Sequence, residues 1–336
     1  MTETNPFVFE DTVVIDSACE FDYWRTHLDH WRKGGTTVCV LTVSALGAAR
    51  EALFAFGRCF EFIRNTPGLR LATSVEEIRA AKAAGEMAVV FHFQGTRPLE
   101  YEPSLIEAYW RMGLRIVQVA YNRRGIMCDG CEEPQDAGLS KLGEQMLAEL
   151  NRLGILVDVS HTGWRSALEV IEASTAPVIA SHSNAYAVHP STRNIPDEVI
   201  KAIAASGGVI GMNGLPFFVA ADTAPTLDQF IDHMVHVDSL VGTGHVGLGI
   251  DYCRGSQVDD EATLTMEQYE GLIKAQIWRR ETYSPPPFYF PEGLGQGGPS
   301  GFPKLAERML ERGYTDDEVR GVLGENWLRV YGQVWS

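Results

Sequence analysis

The sequence predicts an α/β protein built as an eight-fold (β/α)8 barrel. Three observations carry this. Eight short runs rich in Val and Ile recur along the chain, and they are nearly continuous rather than alternating. That is how parallel strands buried on both faces read. Amphipathic segments at helical spacing separate the runs, which is the β/α alternation of a parallel sheet. The 336 residues suit one large barrel domain.

The first run is VVIDSA (13–18), and the second is TVCVLTV (37–43). A helix is expected over 44–65, where Leu46, Leu53, Phe54, Phe60 and Ile63 recur at roughly helical spacing. MAVVFHFQG (87–95) and LRIVQVAY (114–121) follow, with helices over 75–84 and 103–112. ILVDVSH (155–161), APVIASHS (176–183), GGVIGMNG (207–214) and HVGLGIDY (245–252) complete the set. Helices over 138–153, 163–174, 195–206 and 225–241 lie between them, and Asp197 with Glu198 suits a helix start. Beyond the eighth run a helix is expected over about 264–281. Then comes SPPPFYFPEGLGQGGPSGFP, whose aromatics Tyr289 and Phe290 favour a loop folded over the barrel mouth rather than a linker. Helices at 303–313 and 316–323 and the terminal ENWLRVYGQVW should pack on the barrel wall. The expected organisation is one domain over 1–336, with a mouth-covering insertion around 253–302 and C-terminal helices over 303–336.

A net charge of −16 argues against nucleic acid and anionic membrane, which require clustered Lys and Arg. No run reaches about 18 uninterrupted apolar residues, and MTETNPFVFEDT has neither a basic region nor an apolar core. Six cysteines are too few for a disulfide scaffold in a chain this long. A reducing cytoplasmic setting is therefore expected. Cys128-Asp-Gly-Cys131 is one C-x-x-C without a second, and two free thiols in a mouth loop is its expected state. A thiolate cluster with Cys19 and Cys253, or a Cys nucleophile with His182, are minor alternatives.

Barrel active sites lie at the C-terminal ends of strands. There the sequence delivers Glu20, Gln94, Tyr121, Asn122, His161, His182, Asn213 and Asp251. Imidazoles ending neighbouring strands about 4.8 Å apart converge on one ion. Asp251 is placed to move a proton. His92 shares a strand face with Gln94 and is expected deeper in the barrel. His27, His30, His189, His233, His236 and His245 are assigned to surfaces and loops.

VDVSH (157–161), SHSNAYAV…HPSTRNIPDEVI (181–200), VAYN (119–122), DGCEEPQDAGLSKLG (129–143) and GLGIDY (247–252) resemble the membrane (renal) dipeptidase family. The resemblance runs from about residue 12 to the terminal GENWLRVYGQVW. It implies a metal-dependent-hydrolase barrel, a binuclear zinc site and possible homodimerisation. His161 and His182 match the family's two histidines on one metal, Arg193 its carboxylate-holding arginine and Asp251 its proton-handling aspartate. Tyr121 stands where some members carry a substrate-binding histidine, and with Asn122 it is assigned to substrate binding.

The first strand departs from the pattern. Where the family reads roughly Asp-Gly-His-x-Asp, this chain reads Asp16-Ser17-Ala18-Cys19-Glu20, and the bridging glutamate is Gln94. Alanine ligates nothing, and Gln94 brings no charge. A divergent branch of the family shares both changes. The expected cofactor is thus one divalent metal, zinc by ligand type, on His161 and His182, with Gln94 and Glu20 as weak ligands. The expected activity is cleavage of a small dipeptide or amide. A metal-depleted binder of carboxylates, and a non-peptidase reaction in a biosynthetic pathway, remain as alternatives.

Overall fold

The computed structural model describes residues 8–253, 264–291, 294 and 298–335. The nine strands among them are β1 (Ile15–Glu20), β2 (Val38–Ser44), β3 (Leu69–Leu71), β4 (Met87–Phe93), β5 (Leu114–Gln118), β6 (Leu156–Asp158), β7 (Val178–Ile179), β8 (Ile210–Met212) and β9 (Val246–Leu248). Each of the eight apolar runs holds one strand. The additional strand, β3, pairs with β4 outside the main path. Its Leu-Arg-Leu is too short and too exposed to show as an apolar run.

All the ladders are parallel. One sheet runs β1-β2-β4-β5-β6-β7, and a second pairs β8 with β9. Two isolated parallel bridges join their edges, Ala180 to Ile210 and Cys19 to Tyr252. The strands are apolar on both faces, as the runs imply. Leu41, Phe91, Val117 and Val157 pack toward the helices that follow the strands. Their neighbours Val40, Val90, Ile116 and Leu156 join the other cluster. There the terminal helix Asn326–Val334 supplies Trp327 and Tyr331, both fully buried. At Gly247 this packing is tight, since a Cβ there would lie 2.4 Å from Trp327 Nε1.

The expected helices form, including Ala49–Asn65, Lys141–Arg152 and Leu227–Val241, except that the one expected over about 264–281 is confined to Met266–Lys274. Asp197 and Glu198 lie in the first turn of their helix, where carboxylates oppose the positive dipole end. The chain after β1 adds two short helices that the sequence did not suggest, Phe21–Thr26 and Leu28–Lys33.

One histidine departs from expectation. His233 is fully buried, not superficial. Its Nδ1 accepts from Ala185 N at 3.2 Å, which leaves Nε2–H to donate to Val219 O at 2.8 Å. It shares a helix face with Phe230, Met234 and Val237, and satisfied partners make it a core residue.

The segment after β9 folds against the strand ends. Tyr283 and Phe288 are buried with Leu215, Phe218, Leu264 and Tyr269. Tyr289 is more exposed, at 40%. Residues 292, 293 and 295–297 of the Pro/Gly-rich stretch lie outside the described residues.

Candidate functional site

Three site residues hold a left-handed backbone: Asn122 (φ 54°), His161 (φ 61°) and Asp251 (φ 57°). None is glycine, and each follows the end of a strand. Such conformations cost about 1–3 kcal/mol each and gather at functional sites. Here they accompany side chains that meet at the strand ends.

His161 Nε2 and His182 Nε2 face each other at 2.8 Å. The partners behind the rings decide what lies between them. Asn122 Nδ2 donates to Ile277 O at 3.1 Å, so its amide oxygen must face the other way. That oxygen accepts from His161 Nδ1 at 2.7 Å. His161 therefore carries its proton on Nδ1. Behind His182, Ser181 Oγ lies 2.6 Å from Nδ1 and donates to Asp158 Oδ2 at 2.5 Å. Asp158 is acceptor-only when ionised, so the serine proton goes to it, and His182 Nδ1–H donates to the serine oxygen. Both rings thus turn an Nε2 lone pair toward the other.

The charge state agrees. Burial, then the Arg193 cation, holds both imidazoles well below the usual histidine range, so both are neutral. Burial pushes Asp158 up, but His92, His182 and the Ser181 hydroxyl outweigh it and hold the carboxyl below its usual range. Its Oδ1 accepts from Ser160 N and Ser181 N, both at 2.9 Å, and His92 Nε2 lies 3.2 Å from Oδ2. His92 is fully buried behind the site. Two neutral rings that turn their Nε2 lone pairs toward each other would be the donors for one divalent cation, and this outer-shell orientation of Nε2 is the arrangement metal-bound histidines use.

A cavity of about 280 Å³ opens in front of His161. Its polar side is Glu20, Gln94, Tyr121, His161, Asp251 and Cys253. Tyr121 stacks on His161, with centroids 4.2 Å apart. Asp251 accepts from Asn213 Nδ2 at 3.1 Å. Burial raises the Asp251 carboxyl to about 7, against the lowering effect of Arg193 and Asn213. Asp251 therefore exchanges a proton near neutral pH.

Other predicted residues lie elsewhere. Glu20 lines the cavity, but its carboxylate caps the helix Phe21–Thr26, accepting from Tyr23 N at 2.9 Å. Ala18 is fully buried and offers no donor. Asn122 is fully buried behind His161, where Nδ2 also donates to Tyr283 OH at 2.9 Å. Arg193 is buried and does not line the cavity. Its Nη2 donates to His182 O at 3.1 Å, and its guanidinium lies over the Phe218 ring. The thiols do not converge. Cys19 is buried and bonds Asp16 O, Cys128 bonds Val119 O, and Cys131 bonds Asn122 Oδ1. Among the described residues no group of three or more His, Cys, Asp or Glu is placed to hold an ion. The two facing imidazoles are thus joined by no third His, Cys, Asp or Glu among the described residues.

The site also uses Asp158 and Ser181, which are not among the strand-end residues singled out from the sequence. Their signal is the spacing Asp-x-Ser-His followed by a second Ser-His.

The sequence model of the membrane dipeptidase family, peptidase family M19, matches residues 31–284. The chain belongs to the membrane dipeptidase family. This family member is 27% identical over 269 residues to dipeptidase tcpJ of Claviceps purpurea, covering 79% of the chain and 55% of the relative. It is 30% identical over 254 residues to dipeptidase aclJ of Aspergillus oryzae, covering 74% and 52%. It thus spans about half the length of these curated relatives. A solved amidohydrolase from Pseudomonas aeruginosa superposes with a TM-score of 0.85 at 30% identity, covering 97% of this chain and 98% of that one. Metallopeptidase family membership implies a divalent metal. No helix among the described residues is long and apolar enough to cross a membrane.

Proposed function

We propose that this chain is a single-domain, closed (β/α)8-barrel hydrolase that cleaves a small dipeptide or amide with one divalent cation, zinc by ligand chemistry. The bridges Ala180–Ile210 and Cys19–Tyr252, which join the two sheets edge to edge, support barrel closure. The hydrolase reading rests above all on the two Nε2 atoms that face each other at 2.8 Å, with the partners behind both rings assigning their protons to Nδ1. His161 and His182 hold the cation, with the neutral Gln94 amide as a weak further donor. A divalent cation there supplies Lewis-acid polarisation of the substrate carbonyl.

The remaining steps belong to the chain's own groups. Asp251 takes a proton from the attacking water and returns it to the leaving nitrogen. Its carboxyl near 7 suits both directions. Tyr121 and the aromatic side of the cavity exclude bulk water. Burial, with the Arg193 cation beside it, keeps both imidazoles neutral, and Arg193 tethers the His182 backbone. A direct grip on a substrate carboxylate requires Arg193 to leave the Phe218 ring. Six free cysteines support a reducing compartment.

A second reading has its own support. Ala18 and Gln94 stand where the resemblance places ligands, which favours a binder without turnover. Elemental analysis of protein purified without a metal-affinity tag separates the two. About one equivalent of zinc, lost in His161→Ala/His182→Ala, together with dipeptide cleavage is the expected result. No metal after reconstitution leaves only the binder.

A further inference from the structure

Much of the cavity lining is apolar. Phe217, Leu272, Ile277, Trp278, Tyr283 and Phe288 build it. The rings hold one another in place. Trp278 stacks on Tyr283 with centroids 4.5 Å apart and planes 2° from parallel. Phe217 meets Phe288 edge to face at 5.2 Å and Tyr283 at 5.6 Å. Tyr283 is fixed further by Asn122, which donates to its hydroxyl at 2.9 Å. Such a surface is preformed, so a ligand meets it without first ordering it.

The polar side has a sign. Its ionisable carboxyls are Glu20 and Asp251, and no Lys or Arg among the described residues lines the cavity. Among the described residues, a ligand side chain therefore finds nothing to pair an anion there. The volume of about 280 Å³ lies just below the lower edge of the range of about 300–1,000 Å³ usual for small-molecule pockets. It suits a dipeptide-sized molecule with one large side chain.

We infer that the substrates are amides or dipeptides carrying one uncharged aromatic side chain, which packs against Trp278, Tyr283 and Phe288. This rests on the proposed hydrolase reading for the word substrate, but the ligand preference itself does not. Aromatic pairs gain free energy beyond simple burial, on the order of a 2- to 10-fold preference over an aliphatic chain of similar area. Against alanine, the lost apolar contact widens the expected preference to about 10- to 100-fold. Glutamyl and aspartyl side chains are rejected by Glu20 and Asp251.

The test is a binding titration on the metal-free chain, using Phe-Gly and Gly-Phe against Ala-Gly, Gly-Ala and Glu-Gly. Calorimetry gives the dissociation constants, and kcat/KM on the zinc-loaded protein is measured separately. One phenylalanyl dipeptide is expected to bind at least about 10-fold more tightly than its alanyl counterpart. Phe288→Leu keeps the burial and removes a ring, so the preference should fall about 2- to 10-fold. Trp278→Ala should nearly abolish it. Equal binding of phenylalanyl and alanyl dipeptides, or tighter Glu-Gly, overturns the inference whether or not anything is cleaved. Preferential binding without any cleavage upholds the inference and removes the hydrolase reading instead.

Discussion

The Asn122 amide oxygen lies 2.7 Å from His161 Nδ1 and so decides which nitrogen of that ring faces His182. The same amide donates to Ile277 O and Tyr283 OH. One buried side chain thus joins the ligand histidine to the aromatic side of the cavity. Asn122→Ala should weaken zinc binding about 10- to 100-fold, the usual cost of losing an outer-shell partner. Competition with a chromogenic chelator reads this directly. Unchanged affinity would mean that packing alone orients His161.

Asp251 gives the site a pH signature. Its carboxyl is raised to about 7, so it is largely protonated at pH 6 and ionised at pH 8. If the ionised form accepts the proton of water, kcat/KM climbs as pH rises through about 7. Asp251→Asn should lower turnover about 100- to 10,000-fold and flatten that limb. A retained limb in the variant would assign the titration to another group.

Asp158 is an ionised carboxyl with no exposure. Its folded value lies below the usual carboxylate range. The stability this confers is complete above the ordinary value near 4 and is lost as pH falls toward the lowered folded value. Asp158→Ala also strands two serine N–H groups, and each buried donor left unpaired costs about 1–3 kcal/mol. Urea unfolding at pH 7 and at pH 3 should show a larger cost at pH 7. An equal cost would assign the loss to the vacated volume.

Asp16 behaves with the opposite sign. Burial raises its carboxyl to about 6, despite hydrogen bonds from Trp31 Nε1 at 2.8 Å and Ile250 N at 2.9 Å. A raised carboxyl adds stability that is complete below the ordinary value and lost as pH rises through about 6. Trp31→Phe removes a donor to the charged form. It should cost about 1–3 kcal/mol at pH 8 and less at pH 5, where Asp16 is mostly neutral. Denaturant midpoints at the two pH values check this, and a cost independent of pH would exclude the Asp16 bond as its source.

Local pattern revealed the strands because burial on both faces writes itself as unbroken apolar runs. Leu69–Leu71 escaped because an edge strand needs no such run. The histidines at 161 and 182 were legible from their motifs. What set their tautomers was not, because Asn122 is oriented by Ile277, 155 positions away. Glu20 shows the same limit. Its carboxylate stands at a ligand position in sequence, yet it caps the helix that begins at the next residue. Arg193 was legible as a cation and not as a buried one, because the Phe218 ring that covers it comes from a separate element, the short helix Pro216–Val219.

The terminal helix has a consequence for traffic. Trp327 and Tyr331 cover the sheet face shared by Ile15 and Val38, near the starts of their strands. Deeper still, Ser17 Oγ lies 2.8 Å from Leu248 O, and a Cβ on Gly249 would come within 1.9 Å of Ser181 O. Among the described residues the strand-start end of the barrel is filled, so a departing fragment occupies the berth of the next arrival. Cleavage products should therefore act as competitive inhibitors, most strongly the fragment that keeps the aromatic ring.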